Sequence, residues 1–210
     1  MENPALKNFA AQIGAELVFA QVLIRRQGKG YELRHVDDRS ANAESLRKMK
    51  PEDARTLAQF TATGEFRPLK SAPTLQRGWL ISAVDDTVLE IALSRLYPGA
   101  VADWHAAQSA QPPVTHYREY VDRQSGMYRI TAMLTNAQAA EVIREICAAR
   151  CCLKRRLWTV PGLEPDAPME KSLIPCLEPC AVLMESARKA VRAEQQEKFA
   201  MGLAGRFDAG

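Results

Sequence analysis

The sequence predicts an α+β protein in two parts: an N-terminal mixed α/β domain with a β-hairpin over residues 1–111, and a C-terminal, mainly helical, cysteine-ligated domain over residues 112–210. Three observations carry this reading. A Val/Leu/Ile/Phe-rich run and an alternating run flank a Gly-Lys-Gly turn near the start. Capped stripes of apolar residues at helical spacing recur from residue 87 onward. All five cysteines lie between Cys147 and Cys180, a window without histidine. With 47% hydrophobic residues in 210, the chain can build one large domain or two small ones, and its composition is not that of a disordered segment.

In chain order, Glu16 to Ile24 reads as a strand, and Arg25 to Gly30 supplies turn chemistry. Tyr31-Glu32-Leu33-Arg34-His35-Val36 alternates apolar and polar residues, so it reads as the half-exposed second strand of the hairpin. Gly28-Lys29-Gly30 lacks the length and context of a phosphate loop and is a turn. Ser45 to Lys50 and Asp53 to Phe60 read as two short helices separated by Pro51. Thr87-Val88-Leu89-Glu90 has capping-box spacing, and Leu89, Leu93 and Leu96 then form one helical stripe. Tyr97-Pro98-Gly99 ends that helix, Val101 to Gln108 starts another, and Gln111-Pro112-Pro113 marks the boundary between the two parts.

Beyond the boundary, Val114 to Met133 is rich in Tyr and Arg and is interrupted at Ser125-Gly126. Thr135-Asn136-Ala137-Gln138 is a second capping box, opening a helix through Ala140, Ile143 and Ile146 that should end near Arg150. Pro161, Pro165 and Pro168 keep the following loop extended. Pro179 then suits the first turn of a helix running to about Lys198, with Leu183, Ala187 and Val191 on one face.

Several function classes find no support. A formal charge of +3 is too weak to argue for nucleic acid without a concentrated basic stripe. The apolar stretch from Ile13 to Ile24 is interrupted by Glu16 and Gln21 and falls short of the roughly 20 residues that span a bilayer. Met1-Glu2-Asn3-Pro4 opens no secretory leader, so the expected location is the cytoplasm, where clustered thiols suggest metal more than disulfides. Motifs of hydrolases, zinc proteases and phosphate loops are absent. His35, His105 and His116 are far apart and unpaired at helical spacing, which fits ordinary hydrogen-bonded histidines better than ligands.

The thiols carry the chemistry. They form two short groups, Cys147-Ala-Ala-Arg-Cys151-Cys152 and Cys176-Leu-Glu-Pro-Cys180. The helix from Thr135 places Cys147 in its last turn, and Cys180 falls on the first turn of the last helix, where unbonded N–H groups favour a thiolate. Two helix ends joined by a proline loop can present four thiolates to one centre. Cys151 and Cys152 are alternatives for the fourth position, with a slight preference for Cys152, which opens a new segment. An iron–sulfur cluster needs about four thiolates at flexible spacing. Zinc knuckles favour two residues between paired cysteines, whereas here Cys176 and Cys180 enclose three. Iron–sulfur is therefore the first reading, and a zinc-stabilised interaction module without a redox role is the alternative. Buried hydrophobic thiols or a lone nucleophile would not explain the clustering. Arg150, Lys154, Arg155 and Arg156 beside the first group could offset the negative charge of a cluster, or bind a polycarboxylate such as a tetrapyrrole, or an acidic partner.

Arg123-Gln-Ser-Gly-Met-Tyr-Arg129, Cys152-Leu-Lys-Arg-Arg-Leu-Trp158 and Ile174-Pro-Cys-Leu-Glu-Pro-Cys180 resemble the C-terminal part of multidomain bacterial chelatase-like proteins related to cobaltochelatases and sirohydrochlorin chelatases. In that family a mixed α/β stabilising domain precedes a helical domain holding a [4Fe-4S] cluster. The resemblance covers the last hundred or so residues specifically and the first hundred loosely. It implies a [4Fe-4S] cluster on Cys147, Cys176, Cys180 and one of Cys151 and Cys152. The family's chelatase domains, with their metal-inserting histidines, have no counterpart here. The resemblance thus implies a redox or structural accessory to a chelatase of siroheme or cobalamin synthesis, with a chelatase-domain protein or a tetrapyrrole as partner.

Overall fold

Asn3 and Pro4 open a helix that stood outside the expected elements, although Leu6, Phe9, Ala10 and Ile13 carry its apolar period: the Asn3 side chain accepts hydrogen bonds from the N–H groups of Ala5 and Leu6, and Pro4 costs nothing at a first-turn position. In this computed structural model residues 3–60, 64–65, 72–149, 151–168 and 171–207 are described, the last seven as backbone alone. The chain divides into two units, one made of Met1–Pro113, Ala149–Arg156 and Asp166–Leu177, the other of Val114–Ala148, Leu157–Pro165 and Glu178–Gly210.

The first unit is a five-stranded sheet with helices packed against it. After helix α1 (Pro4–Gln12) come β1 (Glu16–Phe19), β2 (Val22–Gln27) and β3 (Gly30–His35), an antiparallel meander. The apolar run expected as one strand is thus broken into two. Ala20 adopts φ 54°, so Ala20-Gln21 closes a two-residue turn of its own, and Arg25 to Gln27 belong to a strand instead of a turn. Gly28-Lys29 makes the second turn, with Gly28 at φ 59°. At Gly30 a Cβ would meet the carbonyl oxygen of Ala83 at 2.4 Å, so only glycine lets β3 approach the neighbouring strand.

The expectation that β3 is half exposed is also corrected, because it is buried almost end to end. It lies between β2 and β5 (Trp79–Ala83), with Leu33 opposite Ile24 and Ile81. Its polar residues are consumed internally: Arg34 donates to Glu32 at 2.5 Å and to the carbonyls of Asp38 and Ala41. Residues 45–50, expected as a helix, instead hold the end of a 3-10 turn (Ala43–Ser45) and β4 (Arg47–Met49). The open edge of β5 offers Arg47–Met49 a parallel ladder, and that distant partner outweighs local helix propensity. Residues 51–60 form a 3-10 turn (Pro51–Arg55) and one α-helical turn, α2 (Thr56–Gln59).

Helix α3 (Asp86–Leu96) buries Leu89, Leu93 and Leu96 as the stripe requires, but its cap is Asp85, whose carboxylate accepts from Val88 N–H. Thr87 is already inside the first turn. Helix α4 (Ala100–Ala107) follows Gly99, which takes φ 73°. Phe9, Phe19 and Trp104 meet edge to face at 4.8 and 5.3 Å and tie α1, β1 and α4 into one core. Ile174 is fully buried in that same core, and Leu153 packs against it.

The second unit is mainly helical. It holds α5 (Tyr117–Asp122), a 3-10 stretch (Gly126–Met133) that begins at the expected Ser125-Gly126 break, α6 (Asn136–Ile146) and the long α7 (Ala181–Phe207). The Thr135/Gln138 capping box is formed in both directions. Leu183, Ala187 and Val191 of α7 are buried, as their spacing predicts. Trp158 and Tyr117 are both buried and stack at 6.4 Å, while Thr159 accepts from Tyr117 N–H and donates its own N–H to His116 Nδ1. The architecture is the α+β arrangement expected, with a hairpin-bearing first part and a helix-rich second. Among the described residues no helix is long and apolar enough to cross a membrane.

Candidate metal centre

Cys147 and Cys180 flank helices, Cys176 lies in a short strand, and Cys151 and Cys152 lie in irregular chain. Helix α6 ends at Ile146, one turn sooner than expected, so Cys147 caps it and donates its N–H to the carbonyl of Ile143 at 2.8 Å. Cys180 immediately precedes α7, and its carbonyl accepts the N–H of Met184 at 3.0 Å. Cys147 thus lies at the carbonyl end of α6 and Cys180 at the N–H end of α7. Cys147 and Cys180 belong to the second unit, and Cys151, Cys152 and Cys176 to the first.

Within the first unit, the chain after Cys152 is tied to the chain before Cys176. Leu153 N–H donates to the carbonyl of Ala72, and the Leu153 carbonyl accepts from Ser172 Oγ at 2.6 Å. Arg155 N–H donates to the Ile174 carbonyl at 2.8 Å. The result is a two-stranded parallel pair, β6 (Arg155–Arg156) and β7 (Pro175–Cys176), with Arg156 opposite Cys176. Leu153 and Ile174, one residue from Cys152 and two from Cys176, are the side chains that anchor both strands to the core.

All five cysteines are half-buried thiols. Core fillers would be fully enclosed, as Ile174 and Trp158 are, so burial alone does not account for them. Five cysteines without a histidine between them offer sulfur alone as a donor, the ligand type that an iron–sulfur cluster takes. Among the described residues no three His, Cys, Asp or Glu side chains form a ready-made metal-binding group.

Two of the four expected charge-tuning cations are already engaged with carboxylates. Lys154 pairs with Asp103 at 2.8 Å. Arg156 is buried and pairs with Asp166, which also accepts the Arg156 backbone N–H at 2.8 Å and the Lys171 ammonium at 3.0 Å. Arg155 is half-buried on β6, and Arg150 lies outside the described residues. Sequence reasoning missed Asp103 and Asp166, because neither stands beside a cysteine. It also passed over Tyr120, whose hydroxyl is held above its ordinary pKa by burial and then by the charges of Glu178 and Cys180. Each of the three histidines has a hydrogen-bond partner. His35 is buried with Nδ1 accepting from Asp37 N–H, His105 bonds Asn8, and His116 bonds Thr159.

The fold is that of a two-part α+β protein whose cysteines all lie between Cys147 and Cys180. The family model described as the DR2241 stabilising domain matches residues 4–108, half of the chain, so the chain belongs to that family. The model described as a 4Fe-4S iron-sulfur cluster binding domain matches residues 109–189, which establishes the cofactor as a [4Fe-4S] cluster and sets the zinc reading aside. Among solved structures, that of DR2241 from Deinococcus radiodurans matches with a TM-score of 0.73 and 27% identity over 90% of this chain. DR2241 is described as a multi-domain protein with structural similarity to chelatases and two additional novel domains. The present chain spans 40% of its length. No curated protein matches. The resemblance drawn from the cysteine motifs is therefore borne out.

Proposed function

We propose that Cys147, Cys176, Cys180 and one of Cys151 and Cys152 hold the [4Fe-4S] cluster, and that the chain serves a tetrapyrrole chelatase as a redox or structural accessory in the cytoplasm. The observation that carries this reading is the coincidence of all five thiols with the cluster-binding match over residues 109–189. The likeness to a protein described as chelatase-like supports the chelatase context. The same reading divides the chain near residue 111 into a stabilising domain and a cluster-binding domain, in line with the two family matches. Cys152 is the preferred fourth ligand, since Leu153 anchors the backbone beside it.

When bound, the cluster supplies one-electron redox chemistry or a rigid inorganic cross-link. This chain's part is to deliver thiolates from two helix ends and one short strand, and to place cations near them. Anaerobic reconstitution with iron and sulfide should give a brown protein with about four irons per chain. Stoichiometric zinc without acid-labile sulfide would reject the reading. Separate Cys151→Ser and Cys152→Ser variants should differ, with only one losing the cluster. Retention of the cluster by the double variant Cys151→Ser/Cys152→Ser would remove these positions from the ligand set.

A further inference from the structure

The carboxylate of Asp166 is a hub. It accepts the backbone N–H of Arg156 at 2.8 Å, faces the Arg156 guanidinium at 3.4 Å and the Lys171 ammonium at 3.0 Å. Its own N–H donates to the Arg156 carbonyl at 2.9 Å. Arg156 is 3% exposed, and the Lys171 side chain 9%, so these charges are poorly screened by solvent. Residues directly opposite in a pleated pair share a face, so the register Arg156↔Cys176 has the Arg156 and Cys176 side chains leave the two strands on the same side. Asp166 follows Pro165, where no cysteine, glycine or helical period marks it as functional.

We propose that Asp166 is a positioning residue that sets the charge Arg156 presents to the cluster at Cys176, and so sets the cluster's reduction potential. The inference rests on the ligand assignment proposed above. A cation beside a cluster favours the reduced, more negative state and raises the potential, and a carboxylate that neutralises the cation lowers it again. Asp166→Asn keeps an oxygen for the Arg156 N–H while removing the charge, so the potential rises. Arg156→Gln removes the cation, so the potential falls. A purely structural role predicts something else: both variants would lower iron content, with no opposite shift of potential in the molecules that keep a cluster.

The test is a redox titration of reconstituted full-length protein, followed by cluster absorbance, with iron per chain measured alongside. Opposite shifts for Asp166→Asn and Arg156→Gln, each larger than the spread among replicates, are expected. Shifts of the same sign, or none, would overturn the proposal. If either variant fails to retain its cluster, Lys171→Gln decides: it leaves the Arg156–Asp166 backbone bonds in place, and a lowered potential supports the assignment while an unchanged one overturns it. Wild-type protein that takes up no iron would overturn the cluster reading itself, and this inference with it.

Discussion

The strands at residues 16–35 and the cysteine-bearing stretch at 147–180 are built on different principles. The former satisfy their backbone in continuous antiparallel ladders and bury Phe19, Val22, Ile24 and Leu33 completely. The latter has two strands of two residues each, and is otherwise held by isolated backbone bonds, side chain–backbone bonds, ion pairs and a few buried side chains such as Trp158, Val160 and Ile174. Hydrophobic burial sustains the first without any cofactor. In the second, fewer side chains are buried, and a cluster held by its thiols would add to the order that those contacts supply.

Iron removal should separate the two regions most sharply. Hydrogen exchange in apo and reconstituted protein should show protection lost over residues 147–180 and kept over 22–35; uniform loss would mean the sheet also depends on the cluster. Next in size, Trp79→Ala removes a fully buried side chain from the sheet and should cost about 3–5 kcal/mol in urea unfolding. That cost should be the same with and without iron if the sheet stands on burial alone.

A smaller contrast comes from two tyrosines. Tyr31 donates to Asp86 at 2.5 Å, and its loss in Tyr31→Phe should cost about 1 kcal/mol. Tyr117 is buried with a hydroxyl that finds no hydrogen-bond partner among the described residues, so Tyr117→Phe should be neutral or stabilising by up to about 1 kcal/mol. Destabilisation in both would show that the Tyr117 hydroxyl has a partner. The smallest expected effect is pH-dependent. Burial pushes His35 below its ordinary pKa, with Asp37 and Asp38 pulling upward against it and Arg77 adding to the depression. The neutral ring is thus favoured in the folded state. Its contribution is present above the unfolded pKa of about 6.5 and is lost as pH falls through the lower folded value. His35→Asn, which keeps an acceptor for Asp37 N–H, should flatten the stability profile below that pH, and an unchanged slope would assign the acid sensitivity to other groups.

Legibility differed along the chain for physical reasons. Helices α3, α6 and α7 were readable because caps and apolar stripes act within a few residues, although the α3 cap shifted from Thr87 to Asp85. Helix α1 carried the same kinds of signal, an Asn3-Pro4 start and Leu6, Phe9, Ala10 and Ile13 at helical spacing, but was not among the expected elements. Strand β4 was not readable, since its partner β5 lies some thirty residues away and Arg47–Met49 has no strand pattern of its own. The burial of β3 was hidden for a similar reason: alternation implies a wet face, and the loop carbonyls of Asp38 and Ala41 that cover Arg34 are a tertiary feature.

The donor type follows from residue identity. Five cysteines without a nearby histidine can offer only sulfur to a metal, and the cluster-binding match agrees with that chemistry. Tertiary structure alone decided how those thiols are distributed between the two units, and that Lys154 and Arg156 meet Asp103 and Asp166. Ligand chemistry is a property of side chains, whereas charge pairing and strand register depend on which distant segments meet, and adjacent residues do not encode that.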